Sequence, residues 1–417
     1  MNSALAALIG LAIAIFLIIK KISPVYSLML GALAGGLLSG WGMERTVAEM
    51  ISGVKDISPA VVRIIAAGVL SGTLVMTGAA ESIAKGIIKA LGKRQAYLAL
   101  ALSTMILTAI GVFIDVAVIT IAPIALIMGR QLGLSGGKLL IAMIGGGKCG
   151  NIMSPNPNTI SAADNFDAPL SSVMGAGIIP ALIGLIVTVF IVVPLFPDGD
   201  ESEAMAEPEA DEADKHLPSF LSSIAGPLAT ILLLALRPLF HIVVDPAIAL
   251  PAGGIVGILA TRSWKKSGEC LSYGLGKMST VALLLIGTGT IAGIIKASDI
   301  KDIFVGVLSG WEGAGLLMAP LSGMLMCAAT ASTTAGATVA SASFADTILA
   351  AGVSPVWGAS MVNAGATVLD HLPHGSFFHA TGGCMGMDVK KRLRLIPYES
   401  LIGITLTAGS VVCSLIF

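Results

Sequence analysis

The chain is 417 residues long, 55% hydrophobic and only 12% charged, with 50 glycines, a mean hydropathy of +0.92 and a formal net charge of −1. Soluble domains carry about twice that charge fraction. The composition therefore excludes a water-soluble enzyme, implies no nucleic-acid partner, and describes a polytopic protein in a lipid bilayer. The five cysteines (Cys149, Cys270, Cys327, Cys384 and Cys413) form no CxxC pair and lie in or beside apolar runs. They read as packing residues, so neither a disulfide framework, a metal site nor a resident cofactor is expected.

In chain order, "MNSALAALIGLAIAIFLIIKK" has no basic residues before its apolar core and places its lysines after it. That is the pattern of a retained first helix near 3–19 rather than of a cleaved signal. Segments near 24–41 and 60–80 add two crossings. Gln95 to Gly129 is apolar except for Asp115. As helix it would extend about 50 Å, too long for one crossing of ~30 Å and short for two with a turn. A re-entrant hairpin fits, with two tightly turned full spans as the alternative. Lys138 to Gly147 reads as a half-helix stopped by Gly145–Gly147, Pro155 and Pro157. Ala168 to Pro197 is uncharged and supplies a closing span at 173–196.

Pro197 to His216, "PDGDESEAMAEPEADEADKH", is acidic and nearly devoid of bulky apolar residues, so it can bury nothing and reads as a disordered linker. Taken as 197–217, it separates an N-terminal unit, 1–196, from a C-terminal unit, 218–417. The units answer one another at an offset of about 220 residues. "SPVYSLMLGALAGGLLSGW" at Ser23 matches "DPAIALPAGGIVGILATRSW" at Asp245, and "AESIAKGIIKALG" at Ala80 matches "SDIKDIFVGVLSG" at Ser298. "GLSGGKLLIAMIGGG" at Gly133 matches "GVSPVWGASMVNAGA" at Gly352, and the partner of Gln95–Gly129 is the uncharged run Gly313 to Ala345.

Loop charges test the relative orientation of the halves. The first half carries, in order, Lys20 and Lys21, Glu44, Lys85 to Arg94, Arg130 and Lys138, then Asp164 and Asp167. The second carries Asp245, Arg262 to Lys266, Asp299 and Asp302, Asp346, then Lys390 to Arg394. Where one half is basic its partner tends to be acidic, and cytoplasmic loops are enriched in Lys and Arg. The expected fold is therefore all-α with two inverted-topology repeats, each about five crossings plus a re-entrant hairpin, with a final span at 397–416. Both termini then lie outside a bacterial-type inner membrane, and the acidic linker lies in the cytoplasm.

Within "GGGKCGNIMSPNPNTISAADNF", the freed backbone groups and the amides of Asn151, Asn156 and Asn158 would be costly in lipid. They need a partner, and half-helix ends in broken transporter helices are where solutes and ions are held. Plain capping around a proline kink is the simpler explanation. It does not account for a second interruption at the matching place, "GATVLDHLPHGSFF", with Asp370, His371 and His374. The hydroxyl-rich run "CAATASTTAGATVASAS" reads equally as close helix packing or as ligand contact. Asp115 is an intramembrane carboxylate and so a functional candidate. Lys148 reads equally as an attractor of anions or as a side chain snorkelling to the surface. His371 and His374 could relay protons or simply hydrogen-bond. "GGGKC" fails as a phosphate loop, because Ala142 stands where a glycine is needed and Cys149 where Ser or Thr is needed. Without an ATPase module, transport must draw on an ion gradient or on the solute's own gradient.

At "GVFIDVAVITIAPIALIMGRQLGLSGGKLLIAM", "SPNPNT", "LLLIGTGTIAGIIKASDIKDIF", "TASTTAGATVAS" and "DHLPHGSFF" leading to "IPYESLIG", the chain resembles the gluconate:proton symporter (GntP) family of the ion-transporter superfamily. The resemblance implies uptake of sugar acids or related hydroxy acids with protons, by dimers moving substrate in an elevator motion. It puts an acidic residue at Asp115 and matches a proline-rich break to Ser154–Thr159. The departures are Asn156 for histidine, Asn158 for glycine, Pro373 and His374 for an Asn-Asp pair, and Asp370 for serine. They leave a smaller hydroxy acid or an amino acid resembling D-serine open as the substrate.

Asn151, Ser154, Asn156, Asn158 and Thr159 are thus expected to hold a small organic anion from one side. Ser332, Thr333, Thr334, His371, His374 and Ser376 are expected to hold it from the other. Asp115 and Asp370 are the candidates for proton coupling, as desolvated carboxylates, and Lys148 for anion attraction. The rivals are a sodium-coupled carboxylate transporter of the same architecture and a membrane enzyme acting on a lipid-linked substrate through Asp370, His371 and His374.

Overall fold

The computed structural model describes residues 2–92, 95–197, 217–240, 242–299, 314–373 and 375–417. Linker residues 198–216, the loop residues Lys93, Arg94 and Asp302, and the candidate His374 lie outside the described residues. All regular structure among those described is helical. Pro24, Pro246 and Pro355 open the helices Pro24–Leu38, Pro246–Ala260 and Pro355–Gly365, at positions where a missing N–H breaks no helical bond. Asp245 and Ser354 cap two of these helices by accepting hydrogen bonds from the N–H groups of Ala247 and Trp357.

The same order of elements occurs twice. The pair Ser3–Ile19 and Pro24–Leu38 is answered by Phe220–Phe240 and Pro246–Ala260. Met43–Asp56 and Ser58–Met76, joined at Ile57, are answered by the unbroken helix Ser267–Lys296. Next come the hairpins, Ala96–Ala109 with Ile114–Leu132 and Ala314–Thr330 with Thr333–Ala350. Then come two interrupted helices, Gly136–Asn151 with Pro157–Asn165 and Pro355–Gly365 with Ser376–Cys384. Long helical stretches, Leu170–Leu195 and Val389–Ile416, close the halves. Ala79–Leu91 is amphipathic, and its counterpart would fall at 300–313, outside the described residues.

Packing does not follow the division into halves. Helices from 3–76 and 220–296 pack together as one bundle, here called the frame. The hairpins, interrupted helices and closing stretches of both halves form the other, here called the hairpin bundle. The frame is drawn together along a seam of small residues between Met43–Met76 and Ser267–Lys296. A Cβ added to Gly274 would lie 2.0 Å from the Gly68 carbonyl oxygen, and one on Gly53 2.1 Å from that of Gly289. Such approach is open only to small residues.

Five helical stretches among the described residues are long and apolar enough to cross a membrane: Ser58–Met76, Ile114–Leu132, Leu170–Leu195, Trp264–Lys296 and Val389–Ile416. Six shorter apolar helices of 10–17 residues accompany them. Ile179, Leu182, Ile183, Ile186 and Phe190 lie exposed along Leu170–Leu195, as a lipid-facing stripe requires. The chain is an all-helical, multi-pass membrane protein.

One expectation is corrected. The glycine run does not end the first half-helix, which continues through Gly145–Gly147 and Lys148 to Asn151. Its glycines serve close approach instead. A Cβ on Gly146 would sit 1.9 Å from the Ala101 carbonyl oxygen, and one on Gly150 2.0 Å from that of Met105. Gly136–Asn151 thus lies backbone to backbone on Ala96–Ala109, and those contacts outweigh the weak helix propensity of glycine. The interruption comes at 152–156, ahead of Pro157.

Candidate functional site

Four irregular segments meet at one place: the hairpin turns at 110–113 and 331–332, and the helix interruptions at 152–156 and 366–375. Residues in or beside each border a cavity of about 690 Å³, within the size range of small-molecule sites. Phe113 and Asp115 come from the first hairpin, and Ser332, Thr333 and Thr334 from the second. Asn151, Ser376 and Phe377 flank the interruptions and Asp370 lies within the second. The frame supplies the opposite wall, with Ser272, Tyr273, Gly276, Lys277 and Thr280 of Ser267–Lys296.

Seven of the sequence candidates therefore share this cavity: Asp115, Asn151, Ser332, Thr333, Thr334, Asp370 and Ser376. Ser332 also caps Thr333–Ala350 by accepting from the Ala335 N–H at 3.3 Å. Asp115 opens Ile114–Leu132, is half-buried, and accepts a 2.9 Å hydrogen bond from the Val116 N–H. A helix N-terminus suits its charge. No cation among the described residues pairs with it.

Ser154, Asn156, Asn158 and Thr159 are placed differently from expectation. They are buried behind the cavity wall, where they satisfy the interrupted backbone and one another. Asn156 Nδ2 donates to Asn151 Oδ1 at 2.8 Å, and Ser154 Oγ to the Asn151 carbonyl at 2.9 Å. Asn158 Nδ2 donates to Asn363 Oδ1 at 2.8 Å, while Asn363 Nδ2 donates to Thr159 Oγ1 at 3.1 Å. Asn363 was missed in the sequence, although it is the lone amide in "GASMVNAGA". Through it the two interrupted helices bind each other.

Lys148 neither snorkels nor faces the cavity. It is fully buried, and its Nζ donates to Asp370 Oδ1 and to the Thr367 carbonyl, each at 2.6 Å, and to the Glu399 carbonyl at 3.3 Å. The second interruption exposes carbonyls that no helix satisfies, and the ammonium fills that need. Thr333 Oγ1 donates to Asp370 Oδ2 at 2.7 Å. Asp370, expected as a carboxylate for proton coupling, is thus engaged by Lys148 and Thr333, whereas Asp115 is half-buried at the cavity. His371 is also buried away from the cavity. Its Nδ1 lies 3.0 Å from both Lys148 Nζ and Asp370 Oδ1, and its Nε2 donates to the Ile396 carbonyl at 3.1 Å.

A second buried pair lies alongside. Arg392 binds Glu399 through both of its terminal nitrogens, donates to Thr381 Oγ1 at 3.2 Å, and rests 4.9 Å from the centroid of the Phe378 ring. Glu399 stands in "IPYESLIG", seven residues after Arg392, and the two were not paired from the sequence.

Towards the other end of Ser267–Lys296 the two bundles are joined by charge. Arg63 of the frame binds Asp164 of the hairpin bundle and also Asp245 of the frame, at 2.7 Å. The hydrogen bond from Arg63 holds the Asp245 carboxyl below the usual range. Lys296 lies 3.0 Å from Asp56 and 3.9 Å from Asp346 of the hairpin bundle. Asp56, Asp164, Lys296 and Asp346 border a smaller cavity of about 190 Å³. No group of His, Cys, Asp and Glu among the described residues is arranged to hold a metal ion.

Comparison with known proteins agrees with this architecture. Residues 3–252 match the GntP family permease profile, and residues 222–311 match that of a Na+-H+ antiporter family. An uncharacterized transporter of Haemophilus influenzae is 54% identical over 100% of this chain and 98% of its own length. A gluconate permease of Pseudomonas aeruginosa is 26% identical, over 90% of this chain and 88% of its own. Among solved structures, the YdaH transporter of Alcanivorax borkumensis superposes with a TM-score of 0.62 at 15% identity, covering 90% of this chain and 88% of that one. The resemblance read in the residues holds: the chain is a membrane transporter, not an enzyme, and belongs to the GntP family of permeases.

Proposed function

We propose that this permease takes up a small organic acid, of the gluconate-like or hydroxycarboxylate class, together with protons. The observation that carries the reading is the convergence of both hairpin turns and both helix interruptions on one cavity lined by hydroxyls, an amide and an unpaired carboxylate. Hydroxyls and an amide suit a polyol acid, and Asp115 suits a proton. The name of the Pseudomonas aeruginosa relative, a gluconate permease, supports the substrate class.

In this reading the halves are inverted repeats, with both termini outside and the linker in the cytoplasm. The hairpins are re-entrant, and the hairpin bundle carries the solute past the frame as an elevator, in a homodimer. The repeated element order and the separate packing of the two bundles support it. Sodium coupling is the second reading, favoured by the match of residues 222–311 to a Na+-H+ antiporter family.

The test is uptake into proteoliposomes of radiolabelled gluconate, D-glycerate and D-serine under an imposed pH gradient or an imposed sodium gradient. Accumulation of gluconate or glycerate driven by the pH gradient is expected. Accumulation only with sodium would replace the coupling ion, and accumulation of D-serine alone would replace the substrate class.

A further inference from the structure

Helix Ser267–Lys296 presents Ser272, Tyr273, Gly276, Lys277 and Thr280 to the large cavity. These residues fall at three- and four-residue steps and so form one polar face on an otherwise apolar span. Lys277 stands about 15 Å along a helix some 45 Å long, so a helix centred on a ~30 Å core would hold it within the hydrocarbon depth. An ammonium there is costly and marks a function by default.

Four cations that lie within or between the bundles each have a carboxylate partner: Lys148 with Asp370, Arg392 with Glu399, Arg63 with Asp164 and Asp245, and Lys296 with Asp56. Lys277 has none among the described residues. Its Nζ lies 5.8 Å from the centroid of the Tyr273 ring, a weak substitute for a counter-ion, and its side chain is exposed to the cavity.

We infer that Lys277 is the anchor for the substrate's carboxylate, an anion subsite built on the frame and facing the hydroxyls and Asp115 of the hairpin bundle. This rests on the cavity being the solute site and specifies its chemistry. One unpaired ammonium opposite one unpaired carboxylate fits a monocarboxylate and disfavours a dicarboxylate. Because Lys277 belongs to the frame, a solute travelling with the hairpin bundle leaves it behind. The anchor therefore raises affinity on one side of the membrane and drops out on the other.

Two measurements on the full-length protein test this. In the first, Thr280→Cys reports on the cavity through its rates of reaction with a sulfonate-bearing and a trimethylammonium-bearing methanethiosulfonate, corrected for the parent protein. Adding Lys277→Gln should lower the anionic-to-cationic rate ratio by about tenfold, and adding Lys277→Arg should preserve it. An unchanged ratio with Lys277→Gln overturns the inference. In the second, Lys277→Gln should raise the KM for gluconate uptake at least about tenfold with kcat little changed, and Lys277→Arg should restore it. An unchanged KM also overturns it. Should the wild-type protein carry no gluconate, the proposed substrate fails and the thiol-reaction rates still decide the role of Lys277.

Discussion

Lys148 Nζ and Asp370 Oδ1 lie 2.6 Å apart, fully buried, and join the two interrupted helices across 222 positions of sequence. The pair is sited where the last turn of Gly136–Asn151 meets the second interruption, and it ties the two interrupted helices together. Loss of one partner leaves an uncompensated buried charge, at about 3–5 kcal/mol, whereas replacement of both by apolar groups is far milder. Lys148→Met and Asp370→Leu should each lower the melting temperature sharply in detergent. The double variant should recover most of the loss, and a loss in the double equal to the sum of the two single losses would show that the partners act separately.

Asp115 differs in having no cationic partner among the described residues. Asp115→Asn should leave the melting temperature nearly unchanged while removing accumulation driven by a pH gradient. Exchange of labelled for unlabelled solute, which moves no net proton, should survive. Retained accumulation in the Asn variant would assign the proton elsewhere.

The contacts of Arg63 and Lys296 with Asp164 and Asp346 tie the frame to the hairpin bundle at the end away from the large cavity. Partly exposed pairs of this kind contribute at most about 1 kcal/mol. Asp164→Asn with Asp346→Asn should therefore hardly change folding, yet shift the balance between arrangements of the bundles. A change in turnover of about threefold or more is expected, smaller at high salt, since ~0.6 kcal/mol corresponds to that factor. Identical turnover at low and high salt in both proteins would separate these contacts from the transport cycle.

Gly146→Ala would place a methyl group 1.9 Å from the Ala101 carbonyl oxygen, and helix backbone cannot yield as a side-chain tip does. Folded yield should fall severely. Gly175→Ala, where nothing lies within 4 Å, should be neutral in the same size-exclusion assay.

Much of the fold was legible because its signals are local: apolar run length, prolines at helix starts, and a recurring order of motifs. Asp115, Asn151 and the hydroxyls of Ser332–Thr334 reached the cavity wall as their types suggested. What stayed hidden was pairing over long separations. The glycines of 145–147 look like breakers until the backbone of Ala96–Ala109 is seen against them. Lys148 looked available because Asp370 is 222 residues away. Asn156 and Asn158 looked like ligands because sequence cannot show Asn151 and Asn363 already engaging them. Lys277 stands alone as a cation in "SYGLGKMSTVALLL", and only the cavity beside it gives it meaning.

The interleaving of the halves bears on assembly. Ser58–Met76 meets Ser267–Lys296 main chain to main chain, and the asparagines of one interruption are completed by Asn363 from the other. Neither polypeptide half owns a finished interior, so each made alone should be degraded. Two fragments parted within 198–216 and synthesised in the same cell should instead find one another and restore a working protein.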